Sequence, residues 1–268
     1  MESSTFSFSI SNVVTDAVDI YKNNKKTLLG LSVISAIISQ VFSFIMNISN
    51  SRAPQLTPVS GLVTSLSFII MLVVIYYSTK LWVAMQISVI DAIKNDEISI
   101  SSSYKRAEES VWKFLRASLK IFLILFIPFI LLISGMMPRF SLFMRVTFLI
   151  IGVVAIIFFG TKYAFGPFIR IVEPDNKKYL KASSTLVNRN FKEVVVILAI
   201  YWILLLPTFL NTQYGDVLFV NDSVKFILEK ILLVIGVLYH PFQVSLLVRT
   251  YYELSESSER TQIVKNVT

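Results

Sequence analysis

The sequence predicts an all-α protein, a polytopic membrane bundle of six transmembrane helices. Apolar residues make up 54% of the 268-residue chain and charged residues only 16%. A soluble domain of this size has too little interior to hide so much apolar side chain from water. The apolar residues also gather into runs of about 20 residues, the length with which an α-helix crosses a hydrocarbon core of about 30 Å. The predicted spans are residues 28–48, 62–82, 117–137, 142–165, 194–209 and 231–252.

Amphipathic segments precede the first, third and fifth spans. Over residues 10–21, apolar side chains recur at helical spacing while Asn, Asp and Lys occupy other faces. This pattern is typical of a helix lying in the membrane interface, although a short soluble helix would show it too. Residues 104–116, which the serines at 101–103 can cap, and residues 177–192 are similar and more basic. We therefore expect three interfacial helices.

The regions between and around the spans are polar and short. No polar stretch reaches the size of a soluble domain, so residues 1–268 are expected to form a single transmembrane domain. The beginning of the chain lacks the pattern of a secretory signal peptide, because a long polar lead containing acidic residues precedes the first apolar run. Residues 253–268 are rich in Ser and Glu, which predicts a flexible cytoplasmic tail.

The distribution of basic residues predicts the orientation. Of the 25 Lys and Arg residues, 20 fall on the side that holds both termini and 5 fall on the other. Cytoplasmic loops carry this kind of excess, so both termini are expected in the cytoplasm of a multi-pass protein of the cell membrane. The net charge of +8 then indicates anionic lipid headgroups at the cytoplasmic face as partners, and no nucleic acid.

Several kinds of site are excluded by composition. The chain has no Cys and one His, which excludes disulfides, thiolate metal sites and metal or haem sites built on several imidazoles. No cofactor or metal is expected. The sequence also lacks a nucleophile–base pair, a carboxylate dyad within a span and a glycine-rich phosphate loop. No catalytic residue is assigned, and a membrane-embedded enzyme is the least favoured class of function.

An internal repeat is suggested by the order of the segments. Surface helix, span, outer loop and span recur three times, which predicts three hairpin repeats. Ala17, Ala107 and Ala182 each lie 10 to 12 residues before the first span of a unit. Any chain of helical hairpins shows some similarities of this kind. A true repeat and a simple chain of hairpins therefore both remain open.

Four stretches carry a resemblance to a known family. They are VVTDAVDIYKNNKKTLLG, AEESVWKFLRASLKIFLILFIPFILL, KASSTLVNRNFKEVVVIL and YHPFQVSLLVRTYYEL. Together they resemble six-helix prokaryotic membrane proteins similar to the membrane domain found beside some glycerophosphodiester phosphodiesterases. The resemblance covers nearly the whole chain and implies the fold and the membrane location. It implies no phosphodiesterase activity, because no stretch supplies the carboxylates and histidines of that catalytic barrel.

The last span contains the sharpest candidate for a functional residue. His240, the only histidine, lies near the centre of this span, where an ionisable side chain is costly. Pro241 lacks an amide hydrogen and frees the carbonyl of Val237, so we expect a bend there and a partner for that carbonyl. Gln243 and Tyr239 are the nearest polar side chains, and we expect this segment to face the bundle. His240 either binds a ligand or is a neutral structural imidazole.

Two lysines complete the candidate set. Lys80 and Lys162 close the second and fourth spans near the predicted cytoplasmic edge. They either extend to headgroups or form a cationic mouth for a phosphate or a lipid headgroup. Two classes of function are therefore favoured over an enzyme. One is transport or lipid handling along a polar path between the repeats, and the other is a non-catalytic scaffold or accessory subunit.

Overall fold

The structure, a computed structural model, describes the backbone of residues 8–51, 58–218 and 222–267 and the side chains of residues 8–43, 65–204 and 227–258. These residues are α-helical with short connections, and none of them forms a strand. The all-α prediction is therefore confirmed for this part of the chain. The helices are α1 (Ile10–Asn23), α2 (Lys25–Ser51), α3 (Pro58–Lys94), α4 (Ile100–Met136), α5 (Leu142–Tyr163), α6 (Gly166–Val172), α7 (Tyr179–Arg189), α8 (Phe191–Leu218) and α9 (Asp222–Val267).

Five of the described segments are long and apolar enough to cross a membrane. These segments expose large apolar side chains: Phe143 is 81% exposed and Ile127 is 67% exposed. Such exposure is stable only where lipid replaces water around the helix. The sixth predicted span, 194–209, lies in α8, and it extends beyond the described side chains, which stop at residue 204. The five segments are Lys25–Ser43, Ser65–Lys94, Ile100–Met136, Leu142–Val172 and Ile227–Ser258.

The predicted surface helix 104–116 and the predicted third span are parts of one helix. α4 runs without interruption from Ile100 to Met136, with Pro128 inside it. Its cap also differs from the prediction, because Ser99 Oγ accepts the amide of Ser102 at 3.1 Å. Ser103 instead bonds Ser88 of α3, with 2.8 Å between the two hydroxyl oxygens. The amphipathic pattern therefore marks the polar end of a long helix.

The predicted fourth span ends at the break between α5 and α6. Ser141 caps α5 by accepting the amide of Met144 at 3.4 Å, and α6 begins after the break with Pro167 in its first turn. α7, within the predicted segment 177–192, then folds back onto the end of α5. Buried Ser183 donates to the backbone carbonyl of Lys162 at 3.0 Å, which satisfies one of the carbonyls left open where α5 stops.

The C-terminal helix continues past the predicted end of the last span. The sequence predicts a flexible tail from residue 253, whereas α9 remains helical to Val267. Arg249 pairs with Glu253 at 2.8 Å and with Glu256 at 3.4 Å, contacts that favour helical spacing. Leu254 is also buried, with 1% of its surface exposed. Packing and these ion pairs stabilise helical turns of α9 that the polar composition alone does not predict.

The chain forms two compact units. The first unit combines Met1–Ala17, Trp112–Ile203 and Leu246–Thr268, and the second combines Val18–Val111 and Leu204–Ser245. In the first, Asp16 of α1 accepts from Arg249 Nε of α9 at 2.8 Å, beside the buried Val13. In the second, α3 and α4 are joined by the bond between Ser88 and Ser103. The polar site described next lies in the second unit.

Candidate functional site: a polar cavity at His240

The site begins with the carbonyl that Pro241 leaves open. α9 remains helical through Pro241, so the carbonyl of Val237 has no amide partner one turn later. Ser32 of α2 supplies the missing donor, with 2.8 Å between its Oγ and the Val237 oxygen. The expected partner is therefore present, but it comes from another helix and not from His240, Gln243 or Tyr239. This bond fixes α2 beside α9 at the depth of the site.

His240 lies between an aromatic ring and an amide. Its imidazole packs on Trp82 of α3, with 4.8 Å between the ring centroids and 46° between the planes. It is also hydrogen-bonded to the side chain of Gln243, one turn along α9. Gln243 is buried. His240 thus lies against α3 and the side chain of Gln243.

A cavity of about 250 Å³ lies beside these residues. Ser32, Ser35 and Ser39 line it from α2, and their spacing of three and four residues places them on one helix face. His240 and Gln243 line it from α9 with the same kind of spacing. The remaining lining residues are Ala36, Leu204, Leu232, Leu233, Gly236, Val237 and Tyr239. Two polar helix faces therefore meet at a space large enough for a small molecule or part of a lipid.

Tyr239 lies at the rim of the cavity. It belongs to the lining, yet 44% of its surface is exposed. Tyr239 is thus exposed, whereas His240 is half-buried and Gln243 is buried. Tyr239, His240 and Gln243 line the same cavity.

Lys80 has a different environment from the open cationic mouth considered above. Its ammonium is 2.9 Å from Glu108 Oε2 and 4.3 Å from the centre of the Tyr104 ring. The Lys80 side chain is 8% exposed and that of Glu108 is 64% exposed. Carboxylate and ring together stabilise the ammonium away from water. Lys80 is not among the described residues that line the cavity at His240.

Lys162 belongs to the first unit, whereas Lys80 belongs to the second. Its ammonium lies 5.3 Å from the centre of the Phe158 ring, and its backbone carbonyl accepts from Ser183. The matching sequence positions of the two lysines are therefore accompanied by different local contacts.

Sequence reasoning missed the serine face and the aromatic partner of His240. The spacing of Ser32, Ser35 and Ser39 within an apolar run is a signal that could have found the first. Trp82 gives no such signal, because its contact depends on how α3 packs. Gln86, one turn beyond Trp82, is buried, and its Oε1 has no hydrogen-bond partner among the described residues.

A metal centre finds no support in the described residues. They contain no group of three or more His, Asp or Glu side chains placed to hold an ion. The chemistry available at the cavity is hydrogen bonding by hydroxyl, amide and imidazole groups, in surroundings that exclude most water. Such a site can bind and orient a polar group.

Comparisons of this chain with family models, with curated proteins and with solved structures give no match. The resemblance to the six-helix membrane proteins therefore stays a prediction.

Proposed function

We propose that this is a six-span protein of the cell membrane with both termini in the cytoplasm. α8 supplies the span beyond the five segments already described, since its 28 residues extend for about 42 Å at 1.5 Å per residue. The distribution of 20 basic residues on one side and 5 on the other supports this orientation. Basic surface segments next to the spans then meet anionic lipid headgroups at the cytoplasmic face.

The proposal includes three hairpin repeats. Each predicted surface segment is helical and leads into a span: α1 precedes α2, the first turns of α4 precede its apolar part, and α7 precedes α8. Two of the three repeat alanines, Ala17 and Ala107, are fully buried, whereas Ala182 is only partly buried beside the buried Ser183. The common order of segments supports the repeat, and the difference at Ala182 marks the third unit as divergent.

The function that the geometry supports best is binding of a small polar molecule or a lipid headgroup at His240, as part of transport or lipid handling. The observation that carries this proposal is the meeting of two polar helix faces, Ser32–Ser35–Ser39 and His240–Gln243, at one cavity. Polar groups within a span are costly unless they bond to each other or to a ligand. Of the three serines, only Ser32 is used to join helices in the described contacts.

The test is to fill the cavity without touching its polar groups. Gly236 lines the cavity, and a Cβ placed on it meets no atom within 4 Å, so Gly236→Phe adds a ring beside the cavity without a clash at Cβ. Gly160→Phe is the matched control, because Gly160 also has nothing within 4 Å and lies in the first unit. Native mass spectrometry of protein purified from membranes would detect and weigh any retained molecule.

We expect a bound molecule on the unmodified protein and on Gly160→Phe, and at least a tenfold loss of it on Gly236→Phe. Such a loss corresponds to about 1.4 kcal/mol of binding free energy. Equal retention by all three proteins, or no bound molecule on any of them, would contradict the proposal.

A scaffold or accessory subunit is the second candidate. The observation that favours it is the Ser32–Val237 bond, in which a polar side chain within a span serves only to join two helices. If all polar groups of the cavity act in this way, Gly236→Phe should lower stability and leave the retained molecules unchanged.

A further inference from the structure

A second concave surface lies in the first unit and shares no lining residue with the cavity at His240. It is a groove of about 790 Å³, formed by the segment that follows α6, by one face of α7 and by the C-terminal part of α9. We call it the α7–α9 groove. Its lining residues are Val172, Glu173, Asn176, Lys178, Lys181, Ala182, Thr185, Leu186, Tyr251, Tyr252, Ser255, Glu256 and Ser258.

The groove presents two ammonium groups without carboxylate partners. Lys178 and Lys181 lie at the beginning of α7 and are exposed. Neither forms an ion pair with any of the side chains that the structure describes. Lys178 directly precedes α7 and Lys181 lies in its first turn, and both line the groove, so both charges are available to one ligand. This side of the groove favours a phosphate or another anion.

The groove also presents a carboxylate that forms no ion pair with the side chains that the structure describes. Glu173 accepts from Asn176 Nδ2 at 2.7 Å and lies 3.5 Å from the hydroxyl of Tyr251. Both of these donors are uncharged, so the negative charge of Glu173 remains available. Glu256 differs, because Arg249 lies 3.4 Å from it. The groove therefore offers charges of both signs, which a purely anionic ligand would not match.

An aromatic wall holds this arrangement in place. The Tyr251 ring lies 4.7 Å from Phe168 and 6.2 Å from Phe165, measured between centroids. Tyr251 is buried, so its hydroxyl is held toward Glu173 by packing on the other side of the ring. The packing of the ring therefore holds the hydroxyl beside the Glu173 carboxylate, which is exposed at the groove.

The position of the groove along α9 matches the headgroup layer. The predicted last span ends at residue 252, and the α9 residues of the groove run from Tyr251 to Ser258. At 1.5 Å per residue these cover about 10 Å of helix axis, and the headgroup layer is about 5–8 Å thick on each side of the hydrocarbon core. This step rests on the proposed function, in which α9 spans the membrane.

The geometry points to the α7–α9 groove as a binding site for the headgroup of an ethanolamine phospholipid. Lys178 and Lys181 bind the phosphate, and Glu173 accepts a hydrogen bond from the primary ammonium. A choline headgroup has no N–H to donate to Glu173, and a glycerol headgroup has no cation. The site therefore selects the ethanolamine headgroup over both, although all three carry the same phosphate.

The experiment presents the purified full-length protein with an equimolar mixture of dioleoyl phosphatidylethanolamine, phosphatidylcholine and phosphatidylglycerol. Native mass spectrometry distinguishes the three by mass. We expect about tenfold enrichment of the ethanolamine lipid, as one charge-assisted hydrogen bond supplies. Equal binding of the three lipids, or preference for phosphatidylglycerol, would overturn the assignment.

Matched variants test the carboxylate and the two lysines of the site separately. Glu173→Gln should bring ethanolamine lipid down to the level of phosphatidylglycerol, whereas Asp175→Asn, at a position outside the groove lining, should not. The double variant Lys178→Gln with Lys181→Gln should lose at least tenfold of the bound ethanolamine lipid, while Lys177→Gln, also outside the lining, should retain it. An unchanged preference in Glu173→Gln would overturn the role of the carboxylate and with it the proposal.

Free O-phosphoethanolamine separates the lipid from a soluble source of the same headgroup. A specific adduct of the free compound together with no retention of the lipid would overturn the lipid assignment. Failure of the proposed function would look different. Retention of no lipid at all contradicts the membrane placement, whereas loss of preference alone contradicts only the headgroup site. Gly236→Phe changes the other unit and should leave the groove preference intact.

Discussion

One backbone carbonyl, that of Val237, explains why a serine of α2 packs against the middle of α9. Pro241 withdraws its partner, and lipid offers no replacement. Ser32 donates to it across 205 positions of sequence. The need for a donor can be predicted from Pro241 alone. Its identity cannot, because it depends on which face of α2 packs against α9.

The His240 contacts give a prediction at this scale. His240→Leu removes the partner of the buried Gln243 side chain and should lower the free energy of unfolding by about 1 kcal/mol. His240→Gln retains a polar group and should lose less. Thermal unfolding of the purified variants in one detergent measures the difference. Equal melting temperatures for His240→Leu and the unmodified protein would show that the Gln243 contact adds no stability.

Candidate residues were predictable from the sequence to different degrees. His240, Gln243 and Tyr239 do lie together at the cavity, because an ionisable residue, an amide and a tyrosine near a proline share one short stretch. Lys80 was identified as unusual, but its pairing with Glu108 depends on how α3 faces α4. The type of a residue indicates that placing its side chain in lipid costs free energy. Which contacts offset that cost depends on how the helices pack.

At the scale of elements, two glycines bring the helices of the α4–α5 hairpin close together. A Cβ on Gly152 would lie 3.0 Å from the Leu132 amide nitrogen and 3.1 Å from the Pro128 carbonyl oxygen. A Cβ on Gly135 would lie 2.9 Å from the carbonyl oxygen of Arg145. Since lipid tails are as apolar as the side chains, close packing of small residues is a main attraction between membrane helices.

Gly135→Ala should therefore destabilise this hairpin. The new methyl group meets backbone atoms that cannot move aside without shifting α5, a kind of overpacking that costs about 1–3 kcal/mol. Gly160→Ala is the control, because its Cβ would meet nothing within 4 Å. The melting temperature of Gly135→Ala should fall below that of the control. A Gly135→Ala protein as stable as Gly160→Ala would show that the helices are farther apart than described.

Helix boundaries were less predictable than helix positions. Hydropathy places the apolar parts of α3, α4 and α5 well, because a run of about 20 apolar residues has few alternatives. It does not show that the polar first turns of α4 continue the same helix. It also predicts flexibility beyond residue 252, where Arg249 and the buried Leu254 stabilise further turns of α9. A polar composition therefore does not predict a helix that is stabilised by particular ion pairs and packing contacts.

At the scale of the whole molecule, the sequence predicts a multi-pass helical membrane protein, and the described helices agree with this class. The number of spans and the side of each terminus depend on α8, whose apolar stretch extends past the described side chains. With α8 across the membrane, the two ends of the chain lie on the same side. Without it, they lie on opposite sides, and the cytoplasmic placement of the C-terminal half of α9 is lost.

Labelling of single cysteines in intact cells tests this claim most directly, since the chain has no cysteine of its own. Arg139→Cys marks the turn between α4 and α5, Asp175→Cys marks the segment before α7, and Ser257→Cys marks the end of α9. An impermeant maleimide should label only the cysteine at 139, and all three should react once the membrane is opened. Labelling of the cysteine at 257 from outside, with the one at 175 protected, would place α8 outside the membrane and contradict the six-span account.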